Sequence, residues 1–384
     1  MTAPTRRSFL SSLAAAGAGL PLAQAAAAAA PRRLAAKPLK ILVLGGTSFL
    51  GPPFVRGALA NGHTVTLFNR GKTAPEMFAD LEQLRGDRDT GDLDSLRGRQ
   101  FDVVVDNSGY VPAHVQATAE LFKDTAAHYQ LISTISVYGD FGSRPDVIDE
   151  TVEPTRVSDE VAAEAKTIRQ AFRHYGALKA RCEEAAEKAM PGRVANIRPG
   201  LIVGPGDTSD RFTWWPVRID QGGEVLAPGD VDGHSQFIDV RDLAAWMLHC
   251  AEADVTGVYN AVGFHGRVAL GEVLGACKCA TSKPVTLTWV SEEFLQENKV
   301  GAYMQMPLWI PREGRSMVSN ARATAKGLDF RPIADTIRDT LHWAKTERGD
   351  KPFTRTGLRP EREQELLEKW HAQQGDAGKD GEKR

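Results

Sequence analysis

Tyr175 and Lys179 stand four residues apart in Tyr175-Gly176-Ala177-Leu178-Lys179, within a helix-like segment. Residues at that spacing share a helix face, so the ammonium can sit beside the phenol and lower its pKa toward the working range. Upstream, Leu131-Ile132-Ser133-Thr134-Ile135-Ser136-Val137-Tyr138-Gly139 closes a strand with a run of hydroxyls, and Thr134 there would complete a proton-handling group. Earlier still, Leu44-Gly45-Gly46-Thr47-Ser48-Phe49-Leu50-Gly51 follows the apolar run Ile41–Leu44 and opens a helix. A glycine-rich turn in that context grips a dinucleotide pyrophosphate. Gly45 and Gly51 fill its outer positions, and Ser48 takes the middle one, where its hydroxyl can donate to a phosphate oxygen beside the helix N-terminal amides.

The second strand, Val65-Thr66-Leu67-Phe68, ends in Asn69-Arg70-Gly71-Lys72, with no carboxylate where NAD's adenosine ribose is usually held. Asn69 can bond a hydroxyl, while Arg70 and Lys72 suit a 2′-phosphate, so NADP is favoured slightly over NAD; a solvated basic loop is the alternative.

These groups need a scaffold, and the pattern supplies one. Apolar strand-like runs at 41–44, 65–68, 101–105, 131–132 and 194–197 alternate with helix-like segments at 52–61 and 113–127, which predicts a parallel sheet covered on both faces. Residues 161–190 read as one or two helices, stopped by Pro191-Gly192. The expected fold is therefore α/β, a Rossmann-like doubly wound parallel sheet over residues 38–200, with a smaller α/β substrate lobe over 201–374 that is partly interleaved with the sheet. Helices are expected at 240–251 and 332–347, and a frayed polar tail at 375–384.

The chain has 384 residues, 42% hydrophobic and 25% charged, with a net charge of −2. That is enough to bury a large core, and it offers no global attraction to polyanions, so no nucleic-acid partner is expected. Thr5-Arg6-Arg7-Ser8-Phe9-Leu10, a weakly apolar stretch and Ala23-Gln24-Ala25 read as a twin-arginine export signal cut near Ala25, followed by a flexible leader at 26–37. The mature protein is then expected outside the cytoplasm, exported by the twin-arginine translocase. Of four cysteines, Cys277 and Cys279 alone are close; they are either free thiols like Cys182 and Cys250 or, in an oxidising compartment, a strained bridge. No metal-ligand spacing is present.

Together these motifs resemble the extended short-chain dehydrogenase/reductase family, the NAD-dependent epimerase/dehydratase group, from about Lys40 to Trp343. The glycine loop matches with Ser48 as the departure, and Thr47, Phe49 and Leu50 lie within it. Gly86-Asp87-Arg88-Asp89 resembles the segment whose aspartate meets the adenine amino group, here Asp87. Asp106-Asn107-Ser108-Gly109 replaces the usual His-Leu-Ala-Ala of the fourth strand, so Ser108 would line the cofactor. Arg198-Pro199-Gly200 resembles the turn after the sixth strand and brings in Pro199. The resemblance implies that Tyr175 acts as general base or acid, that Thr134 holds the same substrate oxygen, and that Lys179 binds the nicotinamide ribose and tunes Tyr175. A homodimer is an option.

One departure bears on substrate. Nucleotide-sugar members carry Arg-Asp-Phe where this chain reads Ser235-Gln236-Phe237, and that arginine grips the diphosphate. Ser136, Arg211, Trp214, Trp215 and Gln236 are the substrate candidates, the tryptophans either stacking on a sugar ring or packing in a core. The expected activity is a redox-neutral epimerase or dehydratase cycle on a sugar, glycoside or polyol with tightly bound cofactor. An NADP-dependent carbonyl reductase is the alternative, and a non-catalytic RNA- or ligand-binding protein the third reading.

Overall fold

A computed structural model describes residues 37–314 and 316–381. The export signal and nearly all of the leader lie outside the described residues.

Seven parallel strands form the central sheet: β1 (Lys40–Leu44), β2 (Thr64–Asn69), β3 (Glu82–Arg85), β4 (Val103–Asp106), β5 (His128–Ile132), β6 (Val194–Pro199) and β7 (Gly257–Ala261). Their order is β7-β6-β5-β4-β1-β2-β3, so the winding direction reverses between β1 and β4. Ligands of open α/β sheets sit outside the carboxyl ends of the strands at such a reversal. β3 and β7 carry mixed, partly exposed sequences at the two edges and escape a reading based on apolar runs. β7 also shows that chain beyond residue 200 completes the sheet.

Alternation within β1 explains why both faces are covered. Ile41 and Val43 join a core with Phe54 and Val55 of α1 (Gly51–Ala60) and Trp246 and Met247 of α4 (Val240–Glu252). Leu42 and Leu44 face the opposite core, with Val115 and Phe122 of α2 (Pro112–Phe122) and Cys182 and Ala186 of α3 (Tyr175–Ala189). Side chains of period two on strands buried on both faces give this sandwich.

The 161–190 stretch breaks into pieces. Asp159–Glu164 is one short helix, Ile168–Ala171 another, and α3 starts only at Tyr175. Thr167 and Gln170 form a capping box that restarts the chain after Ala165, a stop that helix-favouring composition conceals. At the other end, Pro360–Gly381 is helical, so residues 375–381 continue a helix where the sequence reading has a frayed tail.

A second core lies in the lobe, built on Trp215, Phe212, Phe237, Leu274 and Trp309. Cys277 and Cys279 share the helix Leu270–Cys279, where residues two apart point to different sides; both are free, Cys277 buried and Cys279 exposed, and there is no bridge. Among the described residues no helix is long and apolar enough to cross a membrane.

Beneath the strand ends lies a buried ion pair. Arg88 donates to both oxygens of Asp106 at 2.7 and 3.0 Å, and Tyr129 donates to the same carboxylate at 2.9 Å. Burial pushes the Asp106 carboxyl up, but the charge and hydrogen bonds of Arg88 and the Tyr129 hydroxyl outweigh it and hold the group below its usual range. Arg88→Met leaves Asp106 charged and unpaired in the core, at an expected cost of about 3–5 kcal/mol in urea unfolding; an Arg88→Met/Asp106→Leu double variant recovers most of that loss.

Candidate active site

The glycine loop turns through positive φ at Gly45 and Gly46 (108° and 99°) and enters α1 at Gly51. Gly51 does not line the cavity. A Cβ there would lie 2.4 Å from the backbone of Gly46, so its hydrogen is what lets helix and loop meet. Thr47 lines the cavity, but its hydroxyl donates to the Thr73 carbonyl at 2.9 Å and so ties the loop to the chain after β2. Ser48 stands exposed in the cavity mouth, at the N-terminus of α1, whose first-turn amides lack intrahelical acceptors.

One large cavity, about 1130 Å³, runs along the strand ends. Its first half is lined by Gly45, Ser48, Phe49, Leu50, Asn69, Arg70, Asp87, Ser108 and Pro199. Asn69 accepts from the Gly71 amide at 2.8 Å and from Arg85, which leaves its buried Nδ2 without a partner. An unpaired buried donor at this position fits a ribose hydroxyl, and the helix terminus fits a pyrophosphate. Arg70 keeps only a 3.9 Å contact to Asp89 and is partly exposed. Asp87 caps the turn at Arg88–Thr90 through the Asp89 amide. Ser108 is fully engaged, accepting from Arg88 at 2.8 Å and donating to the Leu44 carbonyl at 3.1 Å; its hydroxyl shapes the wall rather than offering itself to a cofactor.

The catalytic candidates meet at the junction of the two halves. Thr134 follows β5, caps the turn Ile135–Tyr138 and donates to Ser136 Oγ at 3.1 Å. Tyr175, the first residue of α3, lines the same cavity, where the Thr134 hydroxyl pulls the pKa of its phenol down. Gly176 makes this approach feasible. A Cβ on it would lie 1.9 Å from the Ser136 carbonyl oxygen, a backbone atom with little freedom to retreat. The glycine beside the tyrosine is thus a positioning residue that the pair's spacing alone does not reveal.

Lys179 is buried one turn further on. Its ammonium donates to the Gly109 carbonyl at 2.8 Å and to the Ile132 carbonyl, and it lies 4.7 Å from the centre of the Tyr110 ring. Burial lowers its pKa. Tyr175 differs from the sequence expectation: burial pushes the phenol up, and the groups that pull it back are Thr134 and Arg211, with Lys179 turned to the two carbonyls instead. Tyr110 also lines the cavity, but burial and the neighbouring Tyr175 and Asp106 push it up to about 12, so it keeps its proton.

In the second half, Ser136 and Arg211 line the cavity with Phe141, Phe172, Tyr303, Trp309 and Ile310. Phe172 stacks on Tyr175, ring centres 5.7 Å apart and planes 17° apart. Trp214 and Trp215 do not line it. Both are buried in the lobe core, and Trp215 donates to the Pro307 carbonyl at 2.6 Å, so they pack rather than stack on a sugar. Gln236 faces the cavity with its amide already spent: it donates to the Val318 carbonyl and accepts the Val318 amide, both at 2.8 Å. It closes a wall and is a poor substrate ligand.

The model of the NAD dependent epimerase/dehydratase family matches residues 41–262, which include the loop, Thr134, Tyr175 and Lys179. The chain belongs to this family. Solved structures of the same fold include UDP-glucuronic acid 4-epimerase from Bacillus cereus in complex with NAD (TM-score 0.58, 16% identity, 82% of this chain and 99% of that one). UDP-glucose 4-epimerase matches likewise (TM-score 0.59, 15% identity, 82% and 99%). Among curated relatives, the chloroplast stem-loop binding protein of 41 kDa b from Arabidopsis thaliana is 29% identical over 225 residues, 55% of this chain and 54% of that protein. The 2-alkyl-3-oxoalkanoate reductase of Stenotrophomonas maltophilia is 30% identical over 186 residues, 44% and 52%. The chain thus spans about half the length of these two relatives. Family membership and the donor set both fit a bound nicotinamide dinucleotide.

Gly176→Ala should push Tyr175 away from Thr134 and lower hydride exchange by about 10²-fold, with dinucleotide affinity, measured by calorimetry, kept near wild type. Thr134→Val removes a hydroxyl that favours the phenolate. Tyr175 then ionises at higher pH, and the rising limb of the pH–rate profile moves upward.

Proposed function

We propose that this protein is an exported epimerase-type enzyme that removes and returns hydride at one carbinol carbon of a sugar, glycoside or polyol while retaining its dinucleotide, NADP ahead of NAD. The observation that carries the chemistry is that Thr134, Tyr175 and Lys179 line the same cavity as the glycine loop. Tyr175 takes the proton of the substrate hydroxyl while Thr134 holds that oxygen. Lys179, with two donors on carbonyls, has a third for a ribose hydroxyl. A bound nicotinamide supplies the hydride acceptor and donor.

Support for the closed cycle comes from the Arg6-Arg7 signal pattern: an exported enzyme has no ready pool for exchanging cofactor, so a cycle that regenerates it suits that location. Arg70 and Lys72 at the ribose corner support the NADP preference. The carbohydrate substrate rests on the family and on the nucleotide-sugar epimerases that share the fold. A carbonyl reductase is the second reading, favoured by the aromatic lining of the substrate half and by the oxoalkanoate reductase relative.

The test is to purify the mature protein, identify co-purifying dinucleotide by mass spectrometry, and follow substrate isomerisation without added cofactor. Multiple turnovers on retained NAD(P) support the epimerase cycle; strict dependence on added NADPH selects the reductase. Tyr175→Phe should lower turnover by about 10²–10⁴-fold in either enzyme. If it changes nothing, the chain is a binding protein.

A further inference from the structure

A nucleotide-sugar site must hold a diphosphate, ordinarily with a bidentate arginine. Here the position that would carry it is Ser235, buried and uncharged. Among the described residues lining the substrate half, the arginine is Arg211, and no lysine accompanies it besides Lys179.

Arg211 is held in place for binding. Its Nε donates to Ser209 Oγ at 3.1 Å, and its guanidinium lies 5.4 Å from the centre of the Tyr303 ring. With Nε spent, the two terminal nitrogens remain, a fork that matches the two oxygens of a carboxylate. The nearby Asp207 forms no ion pair with it at contact distance: that carboxyl accepts the Ser209 amide at 2.8 Å and the Ser209 hydroxyl at 3.0 Å, and burial raises its pKa against the pull of those bonds and of the Arg211 charge.

The loop that presents Arg211 is clamped from far along the chain. Arg348 is buried and donates to both Asp210 oxygens at 2.9 Å, and Thr356 donates to the Ser209 carbonyl at 3.0 Å. Phe353 packs on the Arg348 guanidinium at 4.0 Å. These residues lie beyond the stretch matched by the family model, so the substrate half is shaped by chain that the family's common part does not include.

We propose that Arg211 is the receptor for a single carboxylate on the substrate, so that the enzyme takes a uronic acid or its glycoside rather than a nucleotide diphosphate sugar. This rests on the carbohydrate reading above. One cation in a partly desolvated wall balances one carboxylate, whereas a diphosphate would leave charge unpaired there. Arg211 and Tyr175 line the same cavity, so one substrate can meet both.

The test uses the full mature chain loaded with dinucleotide and two sugars that differ only at C6, D-glucuronate and D-glucose, with affinities measured by calorimetry. Glucuronate is expected to bind roughly ten- to hundredfold more tightly. Arg211→Gln should erase that preference and Arg211→Lys retain part of it, with dinucleotide affinity reporting that each variant is folded. Equal binding of the two sugars, binding of neither, or a preference that survives Arg211→Gln overturns the proposal. If the sugars bind equally while Tyr175→Phe still abolishes turnover, the receptor fails and the epimerase reading stands. If glucuronate is preferred through Arg211 but Tyr175→Phe changes nothing, the epimerase reading fails instead.

Discussion

Two charges shielded from water, Arg88 and Asp106, hold the cofactor half of this molecule together. Asp106 closes β4, and Arg88 comes from the turn after β3, on the far side of β1 and β2. The same guanidinium reaches the Ser108 carbonyl at 2.6 Å and its hydroxyl, and Ser108 in turn bonds the Leu44 carbonyl at the end of β1. One side chain therefore ties the ends of the strands that flank the sheet's reversal. That constraint accounts for two positions of the Asp106-Asn107-Ser108-Gly109 departure: the aspartate and serine that stand in place of histidine and alanine are the partners Arg88 needs.

A second buried pair does the same for the catalytic half. Arg198 of β6 meets Glu183 of α3 at 2.6 and 2.9 Å, and Ser133, the residue before Thr134, donates to that carboxylate. Glu183 lies two turns along α3 from Tyr175, with Lys179 between. The helix is thus fastened at two successive levels of one face, to the carbonyls of Gly109 and Ile132 and to Arg198. Position along α3 is fixed by charge and hydrogen bonding as much as by packing, and its fixed position defines where the phenol lies.

What could be read from sequence divides by range. β1, β2, the glycine loop, α1, Thr134, Tyr175 and Lys179 carry local signals, periodicity or fixed spacing, and these suffice for the parallel sheet and its cofactor turn. The roles of Trp214-Trp215, open in sequence between a core and a sugar platform, and of Gln236 depend on distant chain: the Pro307 carbonyl is 92 residues from Trp215, and Val318 is 82 residues from Gln236. Arg348 is 138 residues from Asp210, and no spacing rule reaches so far. The effect of Lys179 on Tyr175 escapes the sequence for a different reason. Helical spacing places the two side chains on one face, but it does not say where the ammonium's hydrogen bonds go, and here two carbonyls compete for them.

This division has a consequence for specificity. The matched stretch of the family ends at residue 262, after the last strand of the central sheet, and it contains Thr134, Tyr175 and Lys179. The clamp on the Arg211 loop, the Val318 backbone that occupies Gln236, and Tyr303 and Trp309 in the wall all come later in the chain. Substrate choice can therefore change through the C-terminal third without disturbing Thr134, Tyr175 or Lys179, because the two sets share a cavity and few covalent neighbours. Arg211 is the point where they touch, since it is held by the late segment and yet acts on Tyr175 through its charge. A substitution at Arg348 would thus reach the chemistry only by way of Arg211, through the aim of one guanidinium.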